Sequence, residues 1–294
     1  MSLFTGSGVA IVTPFNEQGV DFDTLGQLIE FHLTHGTDSI IICGTTGEAS
    51  TMTDEEQLEC IRFAVQKVNK KIPVIAGAGS NDTEHAAYLT KEAWKLGADG
   101  ALLVTPYYNK TTQKGLIEHY SYIAKQADIP LVLYNVPSRT GLNIQPKTAY
   151  ELSKIENIVA IKEASGDISQ ITELVHLCHG HLDLYSGNDD QILPLLALGG
   201  KGVISVIANI LPQDTHNLVQ RFFDGDIKGS LELQLKMQPL VKALFCEVNP
   251  IPVKTAVAWM GYSVGHCRKP LTTMESTNEQ KLKQAMIEYG ISLK

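Results

Sequence analysis

The chain has no CxxC pair, no run of Lys and Arg, no Gly-x-Gly-x-x-Gly fingerprint, and no apolar stretch near the roughly 20 residues that span a bilayer. Each absence removes a class of protein. Five scattered cysteines, Cys43, Cys60, Cys178, Cys246 and Cys267, make neither a disulfide framework nor a thiolate zinc site, and they suit a reducing compartment. A formal net charge of −8 argues against nucleic acid or an anionic membrane as the main partner, because both attract clustered cations. From Met1 to Phe15 there is no basic segment followed by an apolar one, so no secretory leader is expected and the cytoplasm is the expected location. His176, Cys178, His179 and His181 match no familiar zinc spacing and fall where a helix runs into a turn, so no metal is assigned to them.

What is present is a repeat. Short runs rich in Val and Ile recur at Val9–Val12, Ser39–Cys43, Pro73–Ala76, Ala101–Thr105, Leu131–Tyr134, Val159–Lys162, Leu182–Tyr185 and Val203–Ile207. They are almost continuously apolar, as parallel strands buried on both faces must be. Amphipathic stretches lie between them, including Thr24–Thr34, Asp54–Val68, Thr83–Leu96, Leu116–Lys125 and Ile168–Leu177. Thr53 with Glu56 three positions on has the form of a capping box, and Gly36 and Gly97 follow apolar-periodic segments as stops. Eight βα units predict an α/β fold, a (β/α)8 TIM barrel spanning 1–225. An open doubly wound sheet also alternates, but it usually has fewer strands and opens on a Gly-rich phosphate turn. From Asp226 the pattern is helical only, with Lys228–Phe245, Val253–Met260 and Thr277–Tyr289, so 226–294 is expected to be a C-terminal helical appendage.

Barrels of this type carry their chemistry where the strands end. Seven such ends carry hydroxyls, glycines or amides, among them Thr13, Thr45, Thr46, Gly77, Thr105, Tyr108, Tyr134, Gly187 and Ser205; the remaining end carries Lys162. Period-two geometry sends Ala160 and Lys162 to one face and Ile161 and Glu163 to the other, which points the lysine inward. Desolvation there favours a neutral amine able to attack a carbonyl. A structural lysine paired to Glu163 or Glu48 is the alternative reading.

Tyr134, at the end of the neighbouring strand, can move the proton that a carbinolamine needs to lose water, or can be a rim tyrosine bonded to backbone. Arg139, just beyond in Pro137-Ser-Arg-Thr-Gly141, can hold a carboxylate in a fork or be a solvated loop residue. The turn Gly44-Thr-Thr-Gly-Glu48 offers hydroxyls and backbone N–H groups to a ligand carboxylate. In Ser186-Gly-Asn-Asp-Asp190 two acids stand where many barrels bind phosphate, which argues for an unphosphorylated substrate.

Taken together, Gly44-Thr-Thr-Gly-Glu48, Thr105-Pro-Tyr-Tyr-Asn109, Tyr134-Asn-Val-Pro-Ser-Arg-Thr-Gly141, Ile161-Lys-Glu-Ala164, Gly202-Val-Ile-Ser205 and Asn249-Pro-Ile-Pro-Val-Lys254 resemble the dihydrodipicolinate synthases, within the pyruvate-dependent class I aldolase family. Order and spacing match along almost the whole chain. The resemblance implies a lyase in which Lys162 condenses with pyruvate and the enamine attacks L-aspartate 4-semialdehyde, giving 4-hydroxy-tetrahydrodipicolinate in the diaminopimelate and lysine pathway. It implies a proton relay of Tyr134, Thr45 and Tyr108, with Tyr108 reaching into a neighbouring subunit. Thr46 and Ile204 would contact pyruvate, with Gly187 in the substrate site, and no cofactor is called for. A homotetramer made of two tight dimers would follow.

Arg139 favours the synthases over the sialic acid lyases and 2-keto-3-deoxy sugar acid aldolases of the same family, whose substrates are polyol acids. A catalytically silent barrel would have lost the lysine or its relay, and all four residues are present. The family's lysine effector site maps to Ala49, Asp54, Gln57, Asn81, His85 and Tyr107. Asn81 and Tyr107 match the inhibitable type, which places histidine where Gln57 stands and glutamate where His85 stands. Weak inhibition by lysine, or none, is the expectation.

Overall fold

The computed structural model describes residues 2–294. After β1 (Gly6–Ala10) a small antiparallel ribbon forms from β2 (Phe15–Asn16) and β3 (Gly19–Val20). Then follow β4 (Ser39–Ile42), β5 (Val74–Gly77), β6 (Gly100–Val104), β7 (Leu131–Asn135), β8 (Ile158–Glu163), β9 (Asp183–Ser186) and β10 (Gly202–Ser205). The strands other than the ribbon are parallel and close in the order β1-β10-β9-β8-β7-β6-β5-β4. The expected (β/α)8 barrel is the observed one.

Alternation along each strand separates two apolar cores. Ala10, Ile41, Ile75, Leu102, Val132, Ala160, Tyr185 and Ile204 fill the barrel interior, while Val9, Ile40, Ala76, Leu103, Leu133, Ile161, Leu184 and Val203 pack outward against helices. Burial on both faces is why these runs read as continuously apolar. Phe4 plugs the N-terminal end of the barrel. Its ring stacks on Tyr185 at 4.4 Å, and its carbonyl accepts the Tyr185 hydroxyl at 2.6 Å.

The five expected amphipathic segments are helices Phe22–Thr34, Asp54–Val68, Thr83–Lys95, Gln113–Ala124 and Ile168–Cys178. Thr53 and Glu56 form the reciprocal capping box ahead of the second. Gly36 and Gly97 follow helix ends at φ 80° and 88°, a left-handed backbone that a Cβ would strain. Sequence reading did not resolve the shorter helices Pro137–Thr140, Pro146–Leu152 and Ile192–Ala197, nor Pro212–Phe223. His176 and Cys178 end their helix, as expected for that cluster, with His179 at its cap.

The first and last barrel strands end earlier than their apolar runs, for a common reason. The N–H of Val12 donates to Asn209 Oδ1 at 3.1 Å, and that of Ile207 donates to Asp189 Oδ2 at 2.9 Å. Side chains capture donors that a longer ladder would need, so β1 stops at Ala10 and Ile207 opens a single 3₁₀ turn.

Beyond Asp226 come Ile227–Leu244, Ile251–Trp259 and Ser276–Tyr289. They lie on the barrel's outer helices and reach its catalytic rim. Ser230 Oγ donates to the Leu218 carbonyl at 2.8 Å, Tyr289 to Asp214 at 2.6 Å, and Lys254 Nζ to Glu48 at 2.7 Å. No helix among the described residues is long and apolar enough to cross a membrane.

Candidate active site

Lys162 stands at the C-terminal end of β8, directly opposite Tyr134 on β7. Both are buried, in the interior core with Ala160 and Ile204 around them. The Lys162 nitrogen lies 4.3 Å from the centroid of the Tyr134 ring. No carboxylate among the described residues forms an ion pair with it. Glu48 is bound to Lys254, and Glu163, on the outer face of β8, accepts from Asn135 Nδ2 at 3.0 Å and from the Ser165 N–H at 2.7 Å. The ion-paired structural lysine is therefore not what the fold builds.

Burial brings the Lys162 amine down from its ordinary value to about 8; the Asp189 carboxylate pulls it upward and the Arg139 charge opposes that pull. The same burial pushes the Tyr134 phenol up to about 12, against the Arg139 charge and the nearby Thr45 hydroxyl. An amine that gives up its proton far more readily than an exposed lysine, beside a phenol that stays protonated, is a nucleophile paired with a proton donor.

The two face a cavity of about 440 Å³ also lined by Gly44, Thr45, Thr46, Arg139, Gly187 and Asn249. Gly187 is required by contact: a Cβ there would lie 3.0 Å from Lys162 Cε and 2.8 Å from Ala164 Cβ. Arg139, placed by sequence on a loop, lies on the short helix Pro137–Thr140, and its Nη2 donates to the Asn249 carbonyl at 3.1 Å. Asn249 Nδ2 in turn donates to Thr46 Oγ1 at 3.0 Å. The C-terminal region thus orients both the arginine and a hydroxyl of the Gly44-Thr-Thr-Gly-Glu48 turn. Asn249 carried no chemical signal in the sequence beyond its place in a shared motif.

Two expected site residues are not on the wall of this cavity. Ile204 is fully buried in the interior core around Lys162 and Tyr134, and Tyr108 is 91% exposed with φ 69°. Of the two acids expected to repel phosphate, Asp190 is exposed, but Asp189 is turned inward and buried. A second cavity, about 350 Å³, shares Thr45, Tyr134 and Arg139 with the first and is lined by Ala49, Asp54, Gln57, His85 and Tyr107. Asn81 lies off its wall, with its carbonyl accepting from Asn109.

A model of the dihydrodipicolinate synthetase family matches residues 3–288. The chain belongs to that family. It is accordingly a lyase of the class I aldolase type. A 4-hydroxy-tetrahydrodipicolinate synthase of Caldicellulosiruptor bescii is 61% identical over 295 residues, the whole of both chains. Among solved structures, the dihydrodipicolinate synthase of Aquifex aeolicus superposes with a TM-score of 0.97 at 46% identity, over 99% of this chain and all of that one. The chloride-inhibited enzyme of Acinetobacter baumannii complexed with pyruvate gives 0.95 at 45%, over 98% and 99%. This family membership sets the lysine and tyrosine of the barrel in the context of aldol chemistry.

Proposed function

We propose that the chain condenses pyruvate with L-aspartate 4-semialdehyde through an imine on Lys162, as a 4-hydroxy-tetrahydrodipicolinate synthase of the diaminopimelate and lysine pathway. The observation that carries the reading is a buried lysine with no carboxylate partner, 4.3 Å from a tyrosine ring, in a cavity rimmed by one arginine. The neutral Nζ attacks the ketone of pyruvate, and the Tyr134 phenol protonates the departing hydroxyl of the carbinolamine. The protonated imine acidifies the methyl group; the resulting enamine attacks the aldehyde, and ring closure by the substrate's amine releases the lysine. Thr45 passes protons between Tyr134 and the solvent side, and the Thr46 hydroxyl with the turn's N–H groups holds the pyruvate carboxylate.

Arg139 is the residue for the semialdehyde carboxylate, since a guanidinium held by the Asn249 carbonyl still has its other donors free. The enzyme bound to pyruvate in Acinetobacter baumannii supports the first substrate. Tyr108 completes the relay from a second subunit, consistent with its exposure here, and the assembly is a homotetramer in the cytoplasm. In the second cavity His85 bonds Asp54 Oδ1 at 2.9 Å and Ser80 Oγ at 3.1 Å, and the Gln57 amide donates to the Ala49 carbonyl at 3.1 Å. Groups so engaged leave little for a lysine effector.

Borohydride trapping with pyruvate, read by peptide mass, together with a coupled assay supplying L-aspartate 4-semialdehyde, tests the proposal. Adduct on the Lys162 peptide with turnover supports it. Adduct without turnover points to another aldehyde acceptor, and no adduct overturns it.

A further inference from the structure

Asp189 is a buried acid for which the reaction above has no use. It is 2% exposed, and it follows by two residues the Gly187 whose missing Cβ would abut Lys162 Cε. Its Oδ2 accepts the N–H groups of Val206 at 3.1 Å and Ile207 at 2.9 Å, just past the end of β10. Val206 lines the same cavity as Lys162. From behind, Gln234 on helix Ile227–Leu244 donates to the Asp189 carbonyl at 2.9 Å. Oδ1 is buried as well, and the hydroxyl beside this carboxylate is that of Ser205, at the end of β10.

Burial disfavours the charged carboxylate and pushes its pKa up; the Ser205 hydroxyl, the two N–H groups and a positive charge nearby offset that cost. The ionisable groups facing Lys162 are few. Tyr134 comes from β7, Tyr185 from β9 with its hydroxyl donating to the Phe4 carbonyl at 2.6 Å, Arg139 from the helix after β7, and Glu247 from the C-terminal region lining the cavity. Glu247 is occupied by the N–H of Glu275 and by Asn278. Glu163 is on the outer face of Lys162's own strand, and Glu48 is bound to Lys254. Asp189 is the acid left to answer a cation at Lys162.

We propose that Asp189 is a positioning residue for the lysine: it holds the Gly187 turn and Val206 against Lys162, and it supplies the fixed negative charge for the cationic imine. The inference rests on Lys162 forming that imine. The balance of the step is what calls for such a charge. A neutral amine, a ketone and one proton give a protonated imine and water, so the interior gains a positive charge when the N–C bond forms and the C–O bond breaks.

The test is Asp189→Asn, which keeps an oxygen for the Val206 and Ile207 N–H groups while removing the charge. Pyruvate adduct formation is measured against pH in the wild-type and variant enzymes. Loss of the carboxylate removes a stabiliser of the lysine ammonium, so the acid-side midpoint for attack moves to lower pH. The cationic imine loses its counter-charge as well, so the pyruvate affinity weakens on the order of tenfold.

An unmoved midpoint, whether activity falls or not, overturns the charge role and leaves Asp189 a structural residue. If the wild-type enzyme gives no adduct at all, the Lys162 reading itself has failed. If the variant does not fold, the wild-type enzyme labelled with 13C at the aspartate carboxyls decides by infrared difference spectroscopy on adding pyruvate. A shifted carboxylate band is expected. A protonated-acid carbonyl band, or no aspartate band, overturns the proposal.

Discussion

Lys162 and Tyr134 are direct partners in the parallel register of β8 and β7, and the lysine nitrogen rests 4.3 Å from the centre of the phenol ring. Strand pairing therefore sets the distance between nucleophile and proton donor. Rigid neighbours of this kind hold a reactive geometry better than loops do.

Replacing Lys162 by Ala removes the only side-chain amine that lines the cavity among the described residues and should abolish borohydride-trapped adduct with pyruvate. The rate of product formation in the coupled assay should fall on the order of 10³-fold or more. A normally trapped adduct in the variant would place the imine on another lysine.

The rate of imine formation should depend on pH through the lysine amine. With its value brought down by burial to about 8, the attacking neutral form is abundant above that pH and is lost progressively below it. Single-turnover adduct formation should rise with pH to a midpoint near that value. A midpoint near the ordinary lysine range would show that the interior is wetter than the fold indicates.

Tyr134→Phe keeps the ring beside Lys162 and deletes only the hydroxyl. It should lower kcat by about 10² to 10⁴, the range general acid catalysis supplies, with the thermal midpoint little changed. A kcat near that of the wild type would exclude the phenol from the rate-determining proton transfer.

Arg139→Ala should raise KM for the semialdehyde by roughly 10- to 100-fold, the worth of charge-assisted hydrogen bonds, while KM for pyruvate changes far less. Arg139→Lys should not restore it, because a point charge cannot reproduce the fork held by the Asn249 carbonyl. Equal loss for both substrates would place the arginine elsewhere in the cycle. In the same assay, submillimolar L-lysine should leave activity almost unchanged; strong inhibition would sink the reading of His85 and Gln57.

Glu48 and Lys254 form a buried ion pair, 1% and 2% exposed in their side chains, with the Arg268 N–H donating to the second oxygen of Glu48 at 2.7 Å. Lys254→Met should cost about 3–5 kcal/mol of stability by stranding the carboxylate, measured by denaturant unfolding. The pair of changes Glu48→Gln with Lys254→Met should cost less than Lys254→Met alone. Because Glu48 ends the turn that carries Thr45 and Thr46, the single variant should lower activity too.

Much of this was legible in the residues. Continuous Val and Ile runs at regular spacing can be satisfied only by strands covered on both faces, which leads to the barrel, and alternation within Ile158–Glu163 turns Lys162 inward. Both are local, periodic properties of a chain, so the sequence by itself determined them, together with the capping box at Thr53 and the glycine stops. The tertiary structure decided what depends on partners far along the chain. Glu48 could have served Lys162 until the fold brought Lys254 to it, 206 residues away, and Asp189 read as one of two acids set against a phosphate until the Val206 and Ile207 N–H groups drew it inside. Likewise Asn249 became part of the site only when the C-terminal helices folded back over the rim to meet Thr46 and Arg139. Long-range hydrogen bonds and burial leave no periodic trace, and they set which charges in this protein are neutralised and which remain free to react.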